Sequence, residues 1–286
     1  FIFTKELGDT LVKKELELSL LKTHDFKSHG ELEIIERKTV DFYINGYPTK
    51  HPYGVLAQDV DIHSLISVMS ASTKKSFTHV IEKAFHREPQ YISNNFMVYQ
   101  ALSYVFPHEN NITSLDISGE LTEITIIIND HIQKMGTIPV GEYTIIRDLA
   151  SRLGISFQKA ESLISLYQND NLEESYKKII ETNMKQSFML WFKGLYSFLD
   201  EVSSEFVIPE TFSLLAPPTT HMWFSGWILK TEELAEHIHA KKNISILDTN
   251  MLFREKKRTE FLSIQDDNLS MCLSFLEKEL DKSKGQ

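Results

Sequence analysis

The chain has 286 residues, of which 42% are hydrophobic and 24% are charged, and its formal net charge is -10. This composition is typical of a globular protein with a sizeable core, and the acidic balance excludes nucleic-acid binding through a diffuse basic surface. The single cysteine, Cys272, excludes an intrachain disulfide and a cysteine-based zinc site, which fits a reducing cytoplasm. The sequence has neither a run of about 18 apolar residues nor a signal peptide, so we expect no direct membrane insertion.

The first third of the chain predicts a small α+β module. Branched and aromatic residues favour strands, apolar residues at helical spacing favour helices, and Asn45-Gly46 supplies turn chemistry. The predicted elements are, in chain order, a helix at 4–21, strands at 31–35 and 39–44, an extended segment at 55–66, a helix at 71–87, a strand at 90–93 and a helix at 96–106.

The middle of the chain predicts a three-stranded meander over 112–138, followed by two helices. Residues 124–128 are almost continuously apolar, as in a strand covered on both faces, and Asn129-Asp130 suits a tight hairpin. A helix over 143–152 should end at Gly154, and Ser156 is a suitable N-cap for a second helix that runs to Tyr167.

The last third predicts mainly helices. A long helical region is expected over 172–205, and a strand over 208–215 should stop at Pro217-Pro218. The remaining predictions are a helix at 230–239, a short strand at 244–247 and a terminal helix at 266–281.

The stretch 115–167 resembles the second phosphate loop of the actin-like ATPases and the helices that follow it. The Ile138-Pro139-Val140-Gly141 corner and the Leu153-Gly154-Ile155-Ser156 helix start are similar to those of the branch that contains bacterial FtsA and PilM. The resemblance implies an α/β protein with the actin-like ATPase (ribonuclease H-like) fold, made of a partial first domain, an α+β insert and a second domain.

The resemblance also implies a division of the chain into domains. Residues 1–21 would be a remnant of the first actin-like domain, 22–88 the inserted α+β subdomain and 89–107 the end of the first domain. Residues 108–286 would form the second actin-like domain, with a helical segment at 168–207 where FtsA contacts FtsZ.

The same resemblance implies a nucleotide site. In active relatives the loop reads Asp-x-Gly-Gly-Gly-Thr-Thr, and its backbone amides wrap the phosphates of ATP. Asp116, Gly119 and Thr122 match that pattern, and Gly141 stands in the following corner. These four are the nucleotide-binding residues that the resemblance implies, and Asp116 would also hold magnesium through a water molecule.

The loop departs from the active pattern at Ser118, Glu120 and Leu121, and no catalytic residue is assigned. Glu120 would place a carboxylate where a polyphosphate should lie, with a repulsion of roughly 1 kcal/mol in water and several times more near a protein surface. Ala216-Pro217-Pro218 replaces a glycine turn that lies against the adenosine in relatives. Glu120 and Glu123 could instead act as an acid/base pair, but a polar turn followed by an outward strand position is the simpler interpretation.

The resemblance therefore implies an actin-fold scaffold, weak or inactive toward ATP, that docks a cytoplasmic peptide of a membrane-embedded assembly protein. It would work in type IV pilus assembly, peripheral to the inner face of the cytoplasmic membrane, with its partner-binding residues within 31–107. Self-association stays open. The alternatives are an active FtsA-like ATPase of cell division, whose first phosphate loop lies upstream of Phe1, and a sugar kinase of the same superfold.

Two further patterns have simpler explanations than function. The aromatic run at 188–199 would suit a membrane-surface or partner-binding helix, but apolar residues all round it favour a core helix. His237 and His239 are two positions apart, which on a helix places them on different faces, so they do not predict a metal site.

Overall fold

A computed structural model describes residues 1–22, 31–230, 234, 236, 244–247, 271–276 and 278–279. The chain divides into two compact units, Phe1–Met97 and Val98–Gln286. No helix in the described parts of the chain is long and apolar enough to cross a membrane.

The first unit contains two small sheets and two helices, and a third helix begins in it. Its elements are β1 (Ile2–Phe3), α1 (Lys5–Lys22), β2 (Leu32–Ile44), β3 (Tyr47–Pro48), β4 (Val55–Leu56), β5 (Val60–Ser70), α2 (Ala71–Phe85) and the start of α3 (Asn94–Val105). Strand β1 pairs with β4, and the other sheet has the order β3-β2-β5, with antiparallel pairing throughout.

The predicted strands at 31–35 and 39–44 are one continuous strand, β2, so the break between them was wrong. Glu36, Arg37 and Lys38 lie between the two predicted segments, and each of them pairs in register with a residue of β5. The ladder shifts register near Glu36 and again before Asp41, and such bulges let a long ribbon accommodate charged residues without ending. The predicted turn at Asn45-Gly46 is confirmed, since both residues have positive φ, 54° and 80°.

The predicted strand at 90–93 was also wrong. These residues have no regular structure and are held by side chains instead of a strand ladder. The Tyr91 hydroxyl lies 2.8 Å from the hydroxyl of Thr78 and donates to the Lys74 carbonyl on α2, and Ser93 caps α3.

The second unit is a mixed sheet with helices. Its elements are β6 (Ile112–Ile117), β7 (Thr122–Ile128), β8 (His131–Ile138), α4 (Glu142–Leu153), α5 (Phe157–Gln168), α6 (Glu174–Ser203), β9 (Thr211–Leu215), α7 (Pro218–Lys230) and β10 (Ser245–Ile246). The strand order is β10-β9-β6-β7-β8, in which β10, β9 and β6 are parallel and β6, β7 and β8 form an antiparallel meander.

The meander and both of its following helices are confirmed. Asn129 and Asp130 have φ of 53° and 63°, the left-handed pair that a two-residue hairpin requires. Gly154 ends α4 with φ of 64°, and the Ser156 hydroxyl accepts a hydrogen bond from the Lys159 amide at the start of α5. Each of these signals acts within a few residues, which is why the sequence predicts them.

The aromatic run of 188–199 is a core element, as the simpler interpretation held. Phe188, Trp191 and Phe192 on α6 are buried in the core, where they contact aromatic residues of α7. Phe188 stacks on Trp227 at 5.1 Å between ring centroids, and Trp191 meets Phe224 edge-on at 5.1 Å. Burying each such ring contributes roughly 2–3 kcal/mol, so α6 anchors the second unit.

The helix α7 was missed because Pro217-Pro218 reads as a stop signal. Pro218 is the first helical residue, where a missing amide hydrogen costs nothing and the fixed φ favours a helix. The predicted strand at 244–247 is present as β10, and residues 271–276 of the predicted terminal helix are helical. The helix predicted at 230–239, including His237 and His239, lies almost wholly outside the described residues.

Candidate functional site

Three of the four residues that the resemblance assigns to a nucleotide lie in the loop between β6 and β7 or at the strand ends beside it. Asp116 lies at the end of β6, buried, opposite Glu123 of β7 and beside Leu215 of β9. Gly119 lies in the loop and Thr122 begins β7. Gly141 precedes α4 and packs against this same loop, so the structure brings all four residues to one edge of the sheet.

The loop is a tight turn closed by Ser118. The Ser118 amide and the Ser118 hydroxyl both donate to the Leu121 carbonyl, each at 2.9 Å. The Leu121 amide in turn lies 3.4 Å from the Ser118 hydroxyl oxygen. Ser118 and Leu121, two of the residues at which the loop departs from the active pattern, therefore form the hydrogen bonds of the turn.

The first amides of α4 bond to carbonyl groups of the loop. Glu142 donates to the Ser118 carbonyl at 2.9 Å, and Tyr143 donates to the Gly119 carbonyl at 2.7 Å. Amides at the start of a helix often bind anions because they have no partner within the helix. Here the amides of Glu142 and Tyr143 already donate to carbonyl groups of the loop.

Gly141 is required by packing. A Cβ atom at this position would lie less than 3.0 Å from the Ser118 carbonyl oxygen, the Leu121 amide nitrogen and the Gly119 carbonyl oxygen. Gly119 is covered similarly by the ring of Tyr143, 2.6 Å from a Cβ built there. Both glycines thus allow the loop and the start of α4 to lie against each other.

The Thr122 hydroxyl is fully used inside the protein. It donates to the Val140 carbonyl at 2.8 Å and accepts from the indole nitrogen of Trp191 at 2.9 Å, and Thr122 is completely buried. The aromatic run at 188–199 predicts that Trp191 lies in the core, but no sequence pattern indicates this bond, because the two residues lie 69 positions apart.

Glu120 pairs with Arg147 of α4. The two guanidinium nitrogens donate to the two carboxylate oxygens at 2.9 and 2.5 Å, and Arg147 also donates to the Thr144 hydroxyl at 3.2 Å. The hydrogen bond from Arg147 lowers the pKa of Glu120, and the same bond raises the pKa of Arg147. Because Glu120 is committed to this exposed ion pair, its geometry does not support an acid/base role with Glu123.

The residues after β9 turn directly into α7. The Pro217 carbonyl accepts from the amides of Thr220 and His221, both at 2.9 Å. Proline has no amide hydrogen, so this turn offers few backbone donors to a ligand.

An open groove of about 1010 Å³ lies beside α6 in the second unit. Buried Met184, Phe192 and Trp223 form its apolar wall. Its charged end is largely neutralised within the chain, since Lys177 contacts both Asp170 and Glu174.

The first unit contains the region predicted to bind a partner, 31–107. Helix α2 has no buried residue, and it exposes Phe77 and Val80 on one face with 54% and 63% of their surfaces accessible. Nearby, the buried Glu36 carboxylate accepts hydrogen bonds from the Ser67 hydroxyl and from the amide and hydroxyl of Ser93.

The fit of this chain to ATP and magnesium, which the fold suggests, is poor at the loop. The Thr122 hydroxyl and the first amides of α4 already form hydrogen bonds within the chain, and the Glu120 carboxylate lies on the loop surface. Among the four residues assigned to a nucleotide, Asp116 is the one whose side chain is a carboxylate, the group that the resemblance links to magnesium. Within the described ranges, no three histidine, cysteine, aspartate or glutamate side chains cluster as a metal site.

Comparison with known proteins identifies the fold through structure alone. No protein-family model matches the sequence, and no curated protein matches it. A solved PilM–PilN type IV pilus biogenesis complex matches over 97% of this chain and 74% of the other, with a TM-score of 0.61 and 11% identity.

Two other solved structures match less of the chain. The ethanolamine utilization protein EutJ from Carboxydothermus hydrogenoformans matches over 55% of this chain and 50% of its own, with a TM-score of 0.37 and 17% identity. The Lmo2764 protein from Listeria monocytogenes, a putative N-acetylmannosamine kinase, matches over 71% and 70%, with a TM-score of 0.37 and 13% identity. The mixed five-stranded sheet and the match along nearly the whole chain agree with the expected fold: this protein has the actin-like ATPase (ribonuclease H-like) fold.

Proposed function

We propose that this chain is an actin-fold scaffold that docks a cytoplasmic peptide of a membrane-embedded protein in type IV pilus assembly. The observation that carries the proposal is the closed loop at 118–121, whose surroundings are occupied by groups of the chain itself. An ATPase must hold the phosphates of its nucleotide with free donors, whereas a scaffold needs only a rigid fold. ATP turnover is accordingly expected to be weak or absent.

The similarity to PilM supports the pilus assignment over cell division. PilM in the matching structure is assembled with PilN, and the match extends over both units of this chain. By analogy, the scaffold would lie at the inner face of the cytoplasmic membrane, and its partner would be a PilN-like membrane protein. The domain division at 1–21, 22–88, 89–107 and 108–286 belongs to this same proposal.

The exposed face of α2 is the docking surface that we propose within 31–107. Phe77 and Val80 are one helical turn apart, so their side chains form a continuous apolar patch. Exposed apolar patches on otherwise polar surfaces mark interaction sites. A peptide with two or three apolar side chains would cover this patch.

Peptide binding to the full chain tests the docking surface. The probe is a fluorescent synthetic peptide of the cytoplasmic segment of the PilN-like protein of the same organism, followed by anisotropy. The double variant Phe77→Ser/Val80→Ser should weaken binding at least tenfold. The matched control is Tyr176→Ser/Ile179→Ser, which alters a pair on α6 with the same spacing and similar exposure, 56% and 50%. Equal binding by both variants would contradict docking of the peptide on α2. Absence of binding by the unaltered chain would contradict the proposed scaffold function.

The competing function is an active ATPase, which the buried Asp116 at the end of β6 favours. Calorimetric titration of Mg-ATP separates the two. Binding at micromolar concentration that is lost in Asp116→Ala would support the ATPase. Absence of binding at millimolar ATP would support the scaffold.

A further inference from the structure

The loop at 118–121 is closed by a contact that resembles anion binding. Arg147 holds the Glu120 carboxylate through two parallel hydrogen bonds, the geometry in which a guanidinium group also binds a phosphate. Glu120 and Arg147 lie 27 positions apart, so this pair joins the loop to α4. The loop carbonyls already occupy the first amides of that helix.

We propose that Glu120 is an internal ligand of Arg147 that keeps this loop from binding phosphate-containing anions. This inference rests on the proposed function, because it explains why the chain acts as a scaffold. Arg147 on α4 is the anion-binding side chain beside the loop, and the Glu120 carboxylate occupies it.

The position of the pair supports a blocking role over a stabilising one. Both side chains are at least half exposed, 63% for Glu120 and 50% for Arg147, and exposed ion pairs contribute little to stability. Substitution of Glu120 therefore leaves the fold intact. It also leaves Arg147 beside the Thr144 hydroxyl, which accepts a hydrogen bond from Arg147 on the same face of α4.

Other carboxylates at the loop influence the choice of probe. Asp116 and Glu142 are buried residues next to the loop, and Glu123 lies opposite Asp116 in the strand ladder. These groups repel a bare anion, whereas a magnesium complex lowers the charge of the incoming phosphate. Magnesium pyrophosphate is therefore the probe.

The test is calorimetric titration of magnesium pyrophosphate into the full chain, with ³¹P line broadening as a second readout. Glu120→Gln should bind at least tenfold more tightly than the unaltered chain, and Glu120→Gln/Arg147→Gln should lose that gain. The control is Glu201→Gln, which removes the same charge from another exposed ion pair, with Lys134, away from the loop.

Two results would overturn the inference: equal affinity in Glu120→Gln and Glu201→Gln, or a gain that survives loss of Arg147. Thermal melting of each variant checks that the fold is retained. Peptide docking by the same Glu120→Gln protein separates the two proposals. Retained docking without a gain in pyrophosphate binding would refute only the block at Glu120, whereas failure of the unaltered chain to dock the peptide would refute the scaffold.

Discussion

The indole N–H of Trp191 donates a hydrogen bond of 2.9 Å to the Thr122 hydroxyl, and both residues are completely buried. The bond links the central core helix α6 to the first residue of β7, at the end of the candidate phosphate loop. Because the same hydroxyl donates to the Val140 carbonyl, one side chain joins the loop, the corner before α4 and the core. The loop is consequently held by the most deeply buried part of the unit.

This bond predicts that two tryptophans respond differently to the same substitution. Trp191 and Trp223 are both buried, but the Trp223 indole nitrogen has no hydrogen-bond partner among the described residues. Trp→Phe at either site removes similar volume, and only at Trp191 does it also break a hydrogen bond. We expect Trp191→Phe to lower the free energy of unfolding by about 1–2 kcal/mol more than Trp223→Phe. Urea unfolding measures the difference, and equal losses would show that the Thr122 bond contributes nothing net.

The packing of Gly141 predicts a strong effect of one methyl group. In Gly141→Ala the new methyl group would meet backbone atoms of Ser118, Gly119 and Leu121, which cannot rotate away, so a loss of about 2–3 kcal/mol is expected. Gly226→Ala is the control, because a Cβ there meets nothing within 4 Å. That substitution in α7 should stabilise the helix by about 0.5–1 kcal/mol. Denaturant unfolding of both variants measures the change in the free energy of unfolding. If Gly141→Ala left that free energy unchanged, the backbone of the loop would have to shift at little cost.

The lowered pKa of Asp148 predicts that the second unit loses stability at acidic pH. Its burial opposes the charged form, but hydrogen bonds from Ser187 and Arg152, both 2.6 Å, outweigh burial and lower its pKa. A lowered pKa in the folded state gives stability that is present above the unfolded value, near 3.9, and is lost as the pH falls through the folded value.

The variant Asp148→Asn should therefore cost about 1–2 kcal/mol at neutral pH, and its difference from the unaltered chain should shrink as the pH falls below 4. Urea unfolding at a series of pH values measures this. Ser187→Ala, which removes one of the two donors, should show a smaller change of the same sign. A difference that stays constant with pH would rule out a role for the charge of Asp148.

The hydrogen bonds of Ser93 predict that this residue stabilises the first unit. Its hydroxyl caps α3 and donates to the buried Glu36 carboxylate at 2.7 Å. Ser93→Ala should cost about 1–2 kcal/mol, since it removes both a cap and a partner of a buried carboxylate. Ser162→Ala is the control, because that exposed hydroxyl bonds back to the Gln158 carbonyl within α5. It should be neutral by thermal unfolding, and equal losses in the two variants would contradict the capping role.

Much of the second unit was predictable because its signals are local. Asn129-Asp130, Gly154 and Ser156 act through backbone conformation and hydrogen bonds that span only a few positions. The wrong predictions occur where a short-range sequence signal is outweighed by strand pairing or by the helix that follows it. The gap predicted between 31–35 and 39–44 is bridged by pairing of β2 with β5, and the stop predicted at Pro217-Pro218 is the start of α7.

The sequence by itself determined the meander, the helix ends and the turns, and through the resemblance in 115–167 it determined the actin-like fold. Only the tertiary structure decided what surrounds the candidate site. The partners of Thr122 and Glu120 lie 69 and 27 positions away, so each contact depends on how α6 and α4 pack on the sheet. Such contacts form only after long stretches of chain are closed, and no short-range pattern of residues specifies them.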